Sequence, residues 1–134
     1  MKILALVCRI LLGLMFVIFG ANGLHHFFGP ALPDPGTPVA DWTLVMVHSG
    51  WMAAVSALQL IGGLLVLFGG TLPLGLCILC PITVNIMLFH FCLTGGKGVA
   101  LGAFTGMLEL VLIWAYRANF NGILTFKATP VERA

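Results

Sequence analysis

From Thr71 to Leu93 the chain contains no Asp, Glu, Lys or Arg. A helix that long, rising about 1.5 Å per residue, matches the roughly 30 Å hydrocarbon core of a bilayer. Cys77, Cys80, Pro81, Asn85 and His90 lie inside this stretch, and polar side chains in hydrocarbon need partners on neighbouring helices. Apolar runs at 3–28, 50–69 and 99–118 supply those neighbours. With 60% hydrophobic residues, 7% charged ones and a mean hydropathy of +1.13, a soluble domain, in which about a quarter of residues are charged, is excluded.

These runs predict an all-α fold: an integral membrane four-helix bundle, up-down-up-down, occupying 1–134 as a single transmembrane domain. Spans fall near 3–28, 50–69, 71–93 and 99–118, with an outer loop at 29–42 and a cytoplasmic tail at 119–134. Lys2, Arg9, Arg117, Lys127 and Arg133 flank the outer ends of the first and last spans, whereas the first connection carries Asp34 and Asp41 but no cation. The positive-inside rule then places both termini in the cytoplasm. Arg9 interrupts the first apolar run, which reads as a retained helix instead of a cleaved leader. A net charge of +2 with scattered basic residues gives no footprint for nucleic acid.

Gly13, Gly20 and Gly23 are spaced to let a second helix approach the first closely. The segment GPALPDPGTPVADW holds four of the seven prolines, which predicts a loop without regular structure, followed by a helix that Thr43 caps. Gly69 and Gly70 end that helix, and Pro73 suits the first turn of the next. A second outward turn, rich in glycine, lies between Thr94 and Ala100.

Several side chains are candidates for chemistry. Arg9 and Glu109 are the only charges inside the spans away from the terminal Arg117, and such residues are functional candidates by default. Glu109 is the candidate catalytic carboxyl, handling a proton or a quinone; the competing reading is a buried Arg9–Glu109 pair or a snorkelling Arg9. Gln59, Asn85 and Glu109 fall near mid-membrane and are expected to face one another, as interhelical glue or as the floor of a polar pocket completed by His90 and Arg9. His25, His26, His48 and His90 gather at the outward helix ends, where His25, His48 and His90 could bind a metal or haem or sit half-wet at headgroup level. Cys77 and Cys80 share one face at i and i+3, and Pro81 removes the hydrogen bond to the Cys77 carbonyl. The pair looks like a redox dithiol, yet the topology turns it toward the cytoplasm, where disulfides are disfavoured.

Along nearly its whole length, in RILLGLMFVIFGANGLHHF, LQLIGGLLVLFGGTLPLGL, PITVNIMLFHF and MLELVLIWAYRANFNGIL, the chain resembles the DoxX-like family of small bacterial membrane proteins. The resemblance is carried by the ordered set Arg9, Gly13, Gly20, Gly63, Pro81, Asn85, His90, Glu109, Tyr116 and Arg117. It implies a four-helix bundle in the bacterial cytoplasmic (inner) membrane. Some members resemble the membrane subunit of thiosulfate:quinone oxidoreductase, and others associate with redox partners. Ser56 and Gln59 stand where that family pattern is expected to carry Lys and Glu, which leaves Glu109 as the sole acid within the spans. The function so implied is a small subunit of, or partner to, a quinone-linked redox complex, with lipid and other membrane subunits as partners and quinone as the ligand. If catalytic, it would be a quinone-linked oxidoreductase. The alternative is a structural, lipid-contacting accessory subunit without chemistry of its own.

Overall fold

The computed structural model describes residues 1–28 and 33–123; parts of the expected outer loop (29–32) and tail (124–134, including Lys127 and Arg133) lie outside them. Among the described residues there are five α-helices and no strand: α1 (Lys2–His25), α2 (Pro38–His48), α3 (Trp51–Leu67), α4 (Leu72–Leu93) and α5 (Val99–Ala115). A 3-10 turn, Arg117–Phe120, follows α5. Helices α1 and α4 are each long and apolar enough to cross a membrane, and α2 with α3 would qualify as one bent span. Helix α5 is apolar but shorter.

The expectation that 29–42 is irregular, with Thr43 capping the next helix, is corrected. Thr37 is the cap: its hydroxyl oxygen accepts the Ala40 N–H at 3.3 Å and its hydroxyl donates to the Asp34 carbonyl at 2.7 Å. Pro38 at the first helical position lacks an N–H that would have been unpaired there in any case, and Asp41 lies in the favourable first turn. Thr43 sits inside α2, its hydroxyl bonded back to the Val39 carbonyl at 2.7 Å. Gly50, at φ 75°, allows a 77° bend between α2 and α3.

Helix α1 packs most extensively on α3, α3 on α4, α4 on α5, and α5 back on α1; α2 touches α3. Glycines set the closest crossings. A Cβ at Gly63 would stand 2.9 Å from both the Gly13 carbonyl oxygen and the Val17 nitrogen, so only hydrogen fits between those backbones. Gly75 meets the Gly62 carbonyl in the same way at 2.8 Å.

The close-packed core is displaced toward one end. Ala5, Cys8, Leu12 and Phe16 of α1 interlock with Val66, Leu72, Leu76 and Leu79 around the α3–α4 turn, and with Leu108 and Leu112 of α5. Toward the opposite end α1 and α3 stay in close contact at Gly20 and Gly23, and a cavity opens between them and α5. Ile18, Val84, Leu110 and Trp114 are among many exposed apolar side chains around the outside, the surface a chain presents to lipid and not to water.

Candidate functional site

Three openings hold the candidate residues. The first, of about 250 Å³, lies between α1, α3 and α5, with Ile86 of α4 at its side. Met15, Phe16, Phe19 and Met52 make its walls apolar, and Asn22, Ser56, Gln59 and Thr105 bring polar groups to it. Ser56 and Gln59, at i and i+3, share a face of α3. Ser56 is 2% exposed and faces Gly23, and among the described residues nothing hydrogen-bonds to its hydroxyl or to the Gln59 amide. The Asn22 amide oxygen accepts the Phe28 N–H at 2.7 Å. A backbone N–H needs an acceptor, so the Asn22 NH₂ is the end that has no partner among the described residues. Thr105 is satisfied within its own helix, donating to the Gly102 carbonyl at 2.9 Å.

The second opening is a crevice of about 410 Å³ between α4 and α5. Glu109 lies at its floor, 4% exposed, and accepts from the Thr83 hydroxyl at 2.7 Å. The Cys80 thiol faces the same carboxyl. Everything else lining the crevice is apolar or glycine: Val84, Met87, Ala103, Gly106, Met107, Leu110 and Ile113.

The third is a groove of about 410 Å³ under α2, lined by Trp42, Met46, Trp51, Pro81 and Asn85 among others. Trp42 rests on Phe89 of α4, ring centres 4.5 Å apart, which ties α2 to α4. Asn85 is exposed in this groove.

The expected meeting of Gln59, Asn85 and Glu109 does not occur; each lines a different opening. Thr83 and Asn85 are two residues apart, about 200° around a helix, so turning Thr83 toward Glu109 turns Asn85 outward to α2. The Arg9–Glu109 pair is absent too. Arg9 lays its guanidinium against Gly69 in the α3–α4 turn, with its Nε buried and unpartnered. His90 lies away from all three openings. Its Nδ1 donates to the Lys97 carbonyl at 2.7 Å, and Thr94 donates to the His90 and Lys97 carbonyls, so the imidazole closes the α4–α5 turn.

The histidines do not assemble. His25 stacks on Phe27 at 5.4 Å, His26 ends α1 at φ 53°, and His48 is exposed. No group of three His, Cys, Asp or Glu among the described residues could hold a metal ion. Cys77, exposed, and Cys80, half-buried, are free thiols, as are Cys8 and Cys92.

Sequence reasoning missed Asn22, Thr83 and Thr105. Thr105 precedes Glu109 by four residues, which places both on one face of α5, a signal that was present.

No protein-family model matches the chain, and no solved structure matches it. The chain is similar to the uncharacterized protein YwoB of Bacillus subtilis (strain 168), with 28% identity over 131 residues, covering 92% of this chain and 82% of that protein.

Proposed function

We propose that this chain is a DoxX-like subunit of the bacterial cytoplasmic membrane that holds the ring headgroup of a quinone in the α1/α3/α5 cavity, beside a partner subunit that supplies electrons. In this reading α1, the bent α2–α3 pair, α4 and α5 make four crossings, and Lys2, Arg9 and Arg117 mark the cytoplasmic end. One observation carries it: an apolar-walled cavity of about 250 Å³ into which the Ser56 hydroxyl and the Gln59 amide bring unmatched hydrogen-bonding capacity. Ligand sites are typically apolar with a few convergent polar groups. The volume suits a single substituted ring. Ser56, Gln59 and the Asn22 NH₂ are the donors that would meet its carbonyl oxygens, while Phe16, Phe19 and Met52 would cover its faces.

The test is binding of a short-chain benzoquinone to the purified chain in dodecyl maltoside. Ser56→Ala and Gln59→Leu should each weaken it by about five- to tenfold, the worth of one net hydrogen bond of roughly 1 kcal/mol. Equal binding by all three proteins would reduce the signal to partitioning and end the quinone reading.

A second reading, a structural subunit contacting lipid and neighbouring helices, is favoured by the exposed apolar surface, with Leu110 68% and Trp114 63% exposed. It requires that the same two variants leave a parent complex active, while bulky polar substitutions at Leu110 or Trp114 weaken its assembly.

A further inference from the structure

The α4/α5 crevice shares no lining residue with the α1/α3/α5 cavity, and its chemistry is different. Its polar floor is the Glu109 carboxyl. Among the described residues the Thr83 hydroxyl donates to Oε1, and the Cys80 thiol faces the same carboxyl as a weaker, uncharged donor. No ion pair joins Glu109 to any described cation: Arg9 is engaged at the far α3–α4 turn, Arg117 lies over Trp114 at 4.8 Å, and Lys97 lies in the α4–α5 turn.

A carboxylate in low-dielectric surroundings is among the costliest groups to leave without a counter-charge. The cost falls sharply when a cation arrives, because the attraction is strong where water is excluded. The route is open: a Cβ at Gly106 would meet nothing nearer than 3.7 Å, and Val84, Met107 and Leu110 are 54–68% exposed around the rim. Glu109 as a residue is 4% exposed, too deep for a helix lying across the rim but within reach of a slim head on a flexible chain.

We propose that the α4/α5 crevice binds a membrane-dissolved organic cation of the alkylammonium class, its head against Glu109 and its alkyl chain along Val84, Met107 and Leu110. The proposal stands apart from the quinone reading, since the two sites have no residue in common. Neutral amphiphiles of the same length would gain the apolar contacts without the attraction, so charge is the selecting feature.

Isothermal titration calorimetry of the full chain in dodecyl maltoside, with n-octylammonium as ligand and n-octanol as the uncharged comparison, decides the matter. Saturable one-to-one binding of the ammonium is expected, with none for octanol. Glu109→Gln retains an acceptor for Thr83 and should weaken binding roughly tenfold or more, the scale of one lost charge-assisted contact. Gly106→Val leaves the carboxyl in place and fills the route to it, so it should weaken binding comparably; this second variant keeps the test sound if Glu109→Gln fails to fold. Equal titration of wild type and Gly106→Val, saturable octanol binding, or a Glu109 reached only by the basic side chain of a co-purifying membrane protein would overturn the proposal.

Discussion

Thr83 is 2% exposed and spends its hydroxyl on Glu109. Replacing it with valine keeps the shape and removes the O–H donor to a buried carboxyl, leaving only the weaker Cys80 thiol. Leaving such a group unsatisfied costs about 1–3 kcal/mol, more when the group is charged, so Thr83→Val should lower the SDS concentration at which the detergent-solubilised protein unfolds. Thr105→Val should cost less, because its hydroxyl only bonds back to its own helix at Gly102. Equal losses for the two would show that Thr83 contributes packing alone.

The bundle's helices are held at the distances their glycines allow. Gly63→Ala places a methyl 2.9 Å from the backbone of α1, so α1 and α3 must separate, at about 1–3 kcal/mol. Gly102→Ala is the informative comparison. Its Cβ would meet the Met87 side chain at 3.3 Å, and that flexible chain can give way. Disulfide cross-linking between cysteines placed on facing turns of α1 and α3 should slow for Gly63→Ala and stay unchanged for Gly102→Ala. The all-helical fold was legible because apolar runs and the Gly69–Gly70 break stand out in the chain. Helix α2 was hidden by four prolines in one segment, although Thr37, Pro38 and Asp41 spell a capped helix start. The grouping of Gln59, Asn85 and Glu109 failed for another reason. Depth along a helix can be read from residue count, but rotation is fixed by which glycines meet, and a single sequence does not state those pairings.

Across the whole molecule, packing is uneven from end to end. Leu12, 0% exposed, sits where α1, α3, α4 and α5 converge, whereas Met52 borders a cavity at the other end. Leu12→Ala should cost about 2–5 kcal/mol, and Met52→Ala much less, since it enlarges a space already present. Thermal unfolding in detergent, followed by circular dichroism, would compare them; equal costs would mean that the open end is packed as firmly as the closed one. The 77° angle between α2 and α3, with Trp42 fastened to Phe89, has a mechanical consequence. Where α3 stands upright in a bilayer, α2 must lie nearly flat, like an outrigger at the surface. Single helices answer a thicker or thinner membrane by tilting, but here a tilt would drive one end of the outrigger into the hydrocarbon or lift it into water. Lipid of unmatched thickness would then have to deform around the protein instead of being met by a tilt.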